Sequence, residues 1–165
     1  MKEEVIDGIN YRLDEENLTA EVVKKSGGYE GDIIIPETVF FETAFYRVTS
    51  IGEFAFYECS SLTAITIPDS IIEIRRCAFS HCEKLTSITI PDGVEIIDEC
   101  AFSWCISIDS VVIPDSVVFI GDSAFSFCKK LTSIKFFGAA PWMRGINTDW
   151  HFASPAKIII VPTEM

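Results

Sequence analysis

The sequence predicts a mostly β solenoid, a fold in which successive coils of the chain stack on one another. An Ala-Phe pair recurs with a period of 23 residues, at positions 55–56, 78–79, 101–102 and 124–125. Two further sets keep the same step: Cys59, Cys82, Cys105 and Cys128, and Pro68, Pro91 and Pro114. A fixed period of this length is typical of solenoids, because each unit buries its apolar side only against its neighbours. Such a fold makes an extended surface rather than an enclosed reaction pocket.

The first element of each repeat is a strand. Leu62, Ile65 and Ile67 have the spacing L-x-x-I-x-I, in which apolar side chains alternate with polar ones along an extended chain. Pro68 has no backbone N–H and therefore ends the strand, and Asp69 after it favours a turn. Each coil is therefore predicted to leave its strand at a proline turn.

A second short strand and a helical turn complete the predicted coil. The apolar runs that predict this strand are Ile71–Ile74, Val94–Ile97 and Val117–Ile120. The Ala-Phe pair and the cysteine that follow it are predicted to lie on a short helical or 3₁₀ turn. Between the two elements stand Gly52 and Gly121, which predict a left-handed backbone there, with strain at the equivalent Arg75 and Asp98.

Stacked coils lie roughly 4.8 Å apart, so that equivalent residues form columns. All six cysteines fall into two such columns, the four named above and the pair Cys77 and Cys100. We interpret them as reduced thiols, with a disulfide between neighbouring coils as the alternative, favoured at Cys77 and Cys100. A ladder of thiols does not converge on a tetrahedral site, so no metal is expected.

The repeat resembles that of the BspA-like leucine-rich repeat family, whose units follow I-G-x-x-A-F-x-x-C-x-x-L-x-x-I-x-I-P. The match is close from Val48 to Phe136, because five or six positions recur together at one spacing. The resemblance implies a right-handed leucine-rich-repeat solenoid. Family members are known as bacterial surface or secreted proteins that bind host proteins or other cells, so the resemblance also implies a binding role.

At 165 residues the chain is predicted to be a single domain. The two open ends of its solenoid need caps. Its parts are a β N-cap at 1–47, four repeats at 48–137, and a C-terminal cap with a closing strand at 138–165. The N-cap is predicted to contain a hairpin of Ile9–Leu13 and Leu18–Val23, and a second hairpin within 39–48.

The C-terminal cap is predicted to be a loop that folds over the last coil. Trp142 and Trp150 are interpreted as cap residues, with an aromatic binding patch as the alternative. The segment Lys157–Pro162 resembles the family's closing strand, and an exposed edge is predicted along Ile158–Val161.

Composition argues against several classes of partner. The chain is 48% hydrophobic, yet no apolar run approaches the roughly 18 residues of a membrane span, so no membrane insertion is expected. A formal net charge of −12 argues against nucleic acid or an anionic membrane as partner. No apolar signal segment follows Met1. The resemblance to the BspA-like family implies a secreted or cell-surface protein whose signal peptide is absent from this chain, with a cytoplasmic location as the alternative.

Two surfaces are candidates for binding. One is the outward face of the strands, which is small and hydroxylic and includes Thr63, Thr66, Thr86, Thr89, Ser110, Thr132 and Lys135. The other is the column just before the cysteine, with His81, Trp104 and Phe127. Hydroxyls offer hydrogen bonds to an extended protein or glycan, and exposed aromatic residues are enriched at interfaces. The alternatives are ordinary solvent-facing strand residues for the first surface and packing under a neighbouring turn for the second.

No enzyme is predicted. His81 and His151 have no evident nucleophile and acid beside them, and periodic cysteines are what a core ladder requires. We expect no cofactor. The predicted function is non-catalytic recognition of a protein or glycan, such as a host extracellular protein, and a weak homodimer is a further expectation. The alternative is a structural or spacer module without a strong ligand of its own.

Overall fold

The computed structural model describes residues 1–137 and the backbone of residues 157–161. These residues form a mostly β solenoid of strands and turns. None of them belongs to a helix long and apolar enough to cross a membrane. The strands are β1 (Lys2–Ile6), β2 (Ile9–Asp14), β3 (Thr19–Val22), β4 (Gly31–Ile34), β5 (Thr38–Phe41), β6 (Ala44–Ile51), β7 (Leu62–Thr66), β8 (Glu73–Ile74), β9 (Ile88–Thr89), β10 (Ile96–Ile97), β11 (Ser110–Ile113), β12 (Phe119–Ile120), β13 (Ser133–Phe137) and β14 (Lys157–Val161).

The N-terminal strands form antiparallel hairpins that lead into the coils. β2 pairs with β3 and β5 pairs with β6, which are the two hairpins that the sequence predicts. β1 is an additional strand, joined to β2 by a tight turn at Asp7 and Gly8, whose φ angles are 49° and 84°. The Asp-Gly pair is a sequence signal for such a turn. β3 pairs in parallel with β6, so the hairpins continue directly into the first sheet of the coils.

Strands of successive coils pair in parallel within two of the three sheets of the described residues, and the third sheet pairs β4 with β7. β6, β8, β10 and β12 form one sheet, in which Ile96 pairs with Glu73 on one side and Phe119 on the other. β9, β11, β13 and β14 form the other, in which Val111 pairs with Ile88. Equivalent residues of successive repeats therefore lie side by side, which gives the columns that the period predicts.

β14 lies within the closing strand expected at 157–162 and is at the end of its sheet. The predicted loop that precedes it, with Trp142, Trp150 and His151, lies outside the described residues.

The segment that carries the Ala-Phe pair is a series of hydrogen-bonded turns, so the predicted short helical or 3₁₀ turn is not confirmed. Ala55 and Tyr57 donate their N–H groups to carbonyls three residues earlier, both at 3.1 Å. Phe54, Phe56 and Glu58 donate instead to carbonyls of the next coil, at 3.1, 2.7 and 2.9 Å. The same donations to the next coil recur in the following repeats. The turns of neighbouring coils therefore form a hydrogen-bonded ladder of their own, which we call the turn ladder.

The turn ladder uses a left-handed backbone at two positions of each turn. Phe54 and Glu58 have φ angles of 58° and 59°, and the equivalent residues of later repeats have values from 52° to 63°. The prediction that placed this conformation at Gly52 and Gly121 is wrong, because neither residue has a positive φ. Position 121 requires glycine for a steric reason, since a Cβ there would collide with the backbone nitrogen of Glu99.

The core contains a column of stacked phenylalanine rings next to a column of buried thiols. The rings of Phe56, Phe79, Phe102 and Phe125 are buried, with neighbouring centroids 4.9–5.2 Å apart and planes within 8° of parallel. Offset stacking of this kind adds about 0.5–1.5 kcal/mol to the gain from burial.

Tyr29 closes both columns at their N-terminal end. Its ring lies 4.6 Å from that of Phe56, and its N–H donates to the sulfur of Cys59 at 3.2 Å. Its hydroxyl donates to the carbonyl of Val23 at 2.8 Å, and burial raises the pKa of this phenol to about 12. Tyr29 thus links the N-terminal strand segment to the repeat columns.

Replacement of Phe102 by alanine is expected to destabilise the protein by about 3–5 kcal/mol, because it leaves a cavity between two stacked rings. The matched control is Phe45→Ala, since Phe45 is 66% exposed and its loss is expected to cost about 1 kcal/mol or less. Urea unfolding of both variants measures the difference. Equal losses of unfolding free energy in the two variants would contradict a core that depends on the stacked phenylalanine rings.

Candidate functional site

The column of His81, Trp104 and Phe127 lies at the second left-handed position of the turn ladder, with φ angles of 63°, 61° and 58°. The serine before each of these residues and the cysteine after each are buried. His81 and Trp104 are nevertheless partly exposed, and Phe127 is 45% exposed. Each of these turns therefore presents one side chain to solvent between two that are buried in the core.

The rings of this column form a continuous stack along the solenoid, which we call the aromatic column. The ring centroids of His81 and Trp104 are 5.4 Å apart and those of Trp104 and Phe127 are 4.6 Å apart. The interplanar angles are 7° and 18°. Tyr57 extends the stack at one end, with its ring edge-on to His81 at 5.8 Å. The structure thus brings the three predicted residues into direct contact.

Two lysines lie beside the aromatic column. The ammonium of Lys129 is 5.8 Å from the ring centroid of Trp104, and that of Lys24 is 5.3 Å from the ring of Tyr57. Each cation–π contact at an exposed site is worth about 0.5–1 kcal/mol. Sequence reasoning missed these lysines and Tyr57. Tyr57 occupies a position that holds serine in the later repeats, so the period gave no signal for it.

The predicted strand-face residues are exposed: Thr63, Thr66, Thr86, Thr89, Ser110, Thr132 and Lys135. They occupy a different segment of each coil from the aromatic column. Some of their hydroxyls already have partners within the protein. Thr63 donates to the Asp32 carboxylate at 2.6 Å, and Thr132 and Ser110 donate to oxygens of Asp109 at 3.1 and 3.0 Å. This face is therefore a row of short side chains with part of its hydrogen-bonding capacity in use.

A charged cleft of about 470 Å³ lies where the N-cap meets the coils, with Glu21, Arg12 and Arg75 in its lining. The side chain of Glu21 is only 11% exposed and accepts hydrogen bonds from Arg12 at 2.7 Å and from Arg75 at 2.6 Å. The cleft therefore contains a bridge between cap and coil. The period could not reveal it, because Glu21 lies outside the repeats.

The described residues include no group of three or more His, Cys, Asp and Glu side chains that could hold a metal ion. His81 has the rings of Tyr57 and Trp104 as its neighbours. The aromatic column is therefore a row of stacked, partly exposed rings along the solenoid.

Comparison with known proteins identifies the repeat. Residues 35–143 match the model of the BspA type leucine rich repeat region, in six copies. Among solved structures, the chain is similar to a leucine-rich repeat protein from Bacteroides ovatus, with 28% identity and a TM-score of 0.61. It is also similar to a leucine rich cell surface protein from Faecalibacterium prausnitzii, with 26% identity and a TM-score of 0.61. No curated protein matches the chain.

These two proteins are longer than the chain. The similarity covers 96% of this chain and 53% of the Bacteroides ovatus protein, and 98% of this chain and 51% of the Faecalibacterium prausnitzii protein. The chain thus spans about half the length of each. A leucine-rich repeat protein from Bacteroides capillosus matches over 98% of this chain and 99% of its own length, at 23% identity and a TM-score of 0.68. That likeness shows the fold alone.

Replacement of Trp104 by alanine is expected to leave the fold intact, at a cost of about 1–2 kcal/mol, because its ring is partly exposed and its main contacts are two stacked rings. Circular dichroism and urea unfolding measure this. A loss of unfolding free energy as large as that expected for Phe102→Ala would show that Trp104 acts as a core residue and not as a surface residue.

Proposed function

The chain belongs to the BspA-type leucine-rich repeat family, and on this basis we propose that it is a non-catalytic scaffold that recognises a protein partner. We propose further that it acts at the cell surface or outside the cell. The similar protein from Faecalibacterium prausnitzii is a cell surface protein, which supports this location. The net charge of −12 supports a partner other than nucleic acid or an anionic membrane.

The observation that carries this proposal is the aromatic column. Trp and Phe are enriched at protein interfaces, and a few such anchors supply most of the binding energy. Trp104 is the central ring and has neighbours on two sides, so it is held in one orientation before any partner arrives. An anchor fixed in advance loses less side-chain entropy on binding.

The stacking geometry favours a protein over a glycan. A sugar stacks on the open face of an aromatic ring, whereas the rings of His81 and Phe127 lie against the ring system of Trp104 at 5.4 and 4.6 Å. The column therefore presents mainly ring edges to solvent. The positive edge of an aromatic ring packs favourably against the face of another aromatic ring, which a protein partner can supply. A second copy of this chain is one such protein, which is the homodimer expected from the sequence.

The scaffold that we propose for this role is a right-handed solenoid of 23-residue coils. The pairing of Ile96 with Phe119 supports the coil length, because these residues are equivalent in successive repeats. The spacing of the aromatic column would then follow from the spacing of the coils.

Binding to an array of purified extracellular proteins and to a glycan array tests the proposal. We expect the wild-type chain to bind a protein on the array, and the double variant Trp104→Ala/Phe127→Ala to bind it at least about tenfold more weakly. The matched control is Thr89→Ala/Lys135→Ala on the strand face, for which we expect a change of about twofold or less. Light scattering over a concentration series measures the mass of the wild type and of the variant Trp104→Ser/Phe127→Ser. A wild-type dimer that dissociates in the variant would identify a second copy of the chain as the partner.

Three results would overturn the proposal. Loss of binding in the strand-face variant alone would move the contact surface to the hydroxyl row. Binding to glycans alone would exclude a protein ligand. A monomer without affinity for any component would favour the alternative of a spacer module.

A further inference from the structure

Cys77 and Cys100 lie side by side on adjacent coils. They occupy equivalent positions of the second and third repeats and are both partly exposed. Their backbones belong to the turn ladder, since Cys77 donates its N–H to the carbonyl of Glu99 and Cys100 to that of Asp122, each at 3.0 Å. Chains joined by such hydrogen bonds are about 4.8 Å apart. The two side chains are therefore immediate neighbours.

The local geometry places the two side chains at matching positions of neighbouring turns. The φ angles of Cys77 and Cys100 are 52° and 55°, so both side chains leave the backbone in the same direction. A disulfide needs Cα atoms about 4.4–6.8 Å apart, and this range includes the spacing of adjacent coils.

The other four cysteines differ in burial and in partners. Their side chains are buried: Cys59, Cys82, Cys105 and Cys128. Cys82, for example, donates its thiol to the carbonyl of Phe56 at 3.1 Å, and Cys105 donates to that of Phe79 at the same distance. Burial raises the pKa of the Cys128 thiol to about 12. These thiols are therefore protonated, bonded to the backbone and shielded from reagents in the native protein.

We propose that Cys77 and Cys100 form a redox-active dithiol, which closes to a disulfide between two coils by exchange with an external disulfide. The thiolate of one cysteine attacks a sulfur of the external disulfide, so that a mixed disulfide forms and one external thiolate leaves. The other cysteine loses its proton to water and attacks the protein sulfur of the mixed disulfide, which displaces the second external thiolate. The protein loses two protons and two electrons, and the external disulfide is reduced to two thiols.

This bridge would act on the turns that carry the aromatic column. Cys77 and Cys100 are the first left-handed residues of their turns, and His81 and Trp104 are the second ones of the same turns. A covalent link at the first position therefore fixes the spacing of the two coils next to the stacked rings. The two cysteines are distinct from the residues of the proposed contact surface. The test of the dithiol therefore does not depend on the proposed binding function.

The fully reduced native chain is incubated with oxidised glutathione, after which free thiols are alkylated in denaturant and the peptides are mapped by mass spectrometry. Burial raises the pKa of both thiols, so the incubation is long. We expect one disulfide-linked pair of peptides, containing Cys77 and Cys100, and alkylation of the other four cysteines.

The control variant is Cys77→Ser, because Ser123 occupies the equivalent position two coils further and a serine is accommodated there. In this variant we expect Cys100 to carry a single glutathione, with no internal disulfide. Three results in the wild-type chain would overturn the proposal: two thiols that stay free, two separate glutathione adducts, or a disulfide that includes a core cysteine.

Discussion

Hydrogen bonds between the turns of neighbouring coils set the spacing on which the other features of the solenoid depend. The N–H groups of Phe56, Phe79 and Phe102 reach carbonyls of the next coil at 2.7–2.8 Å. Each of these bonds satisfies a buried donor that would cost about 1–3 kcal/mol if left unpaired. That gain offsets the left-handed backbone of the same turns, which costs about 1–2 kcal/mol per residue. Because the turns repeat at this spacing, the phenylalanine rings between them can stack at 4.9–5.2 Å.

The same turn organises the inside and the outside of the protein. Its buried residues supply the ring and thiol columns of the core. Its two left-handed residues present side chains toward solvent, the first as Cys77 and Cys100 and the second as His81 and Trp104. The candidate contact surface and the proposed dithiol are therefore consequences of one backbone conformation. A scaffold of this kind can vary its exposed positions from coil to coil while its core positions stay constant.

The period was sufficient to predict the columns, because equivalent residues of a stacked repeat must lie side by side. It was not sufficient to predict the turn, since the left-handed Phe54 and Glu58 contradict local preference and depend on bonds to the next coil. Tyr29 and Glu21 act on the repeats from outside them, so no periodic signal marks them. The partial exposure of Trp104 followed from its place before a buried cysteine. The contact of its ring with two neighbours did not, because it depends on side-chain orientation.

The central claim, that the turn ladder holds the coils together, is tested most directly by amide hydrogen exchange followed residue by residue with NMR. The account predicts slow exchange at Phe56, Phe79 and Phe102, as slow as in the strands, because each N–H is buried and bonded to the next coil. Glu16 provides the internal comparison, since its N–H is bonded only to an exposed Asp14 side chain. Exchange at the three phenylalanines as fast as at Glu16 would contradict the account.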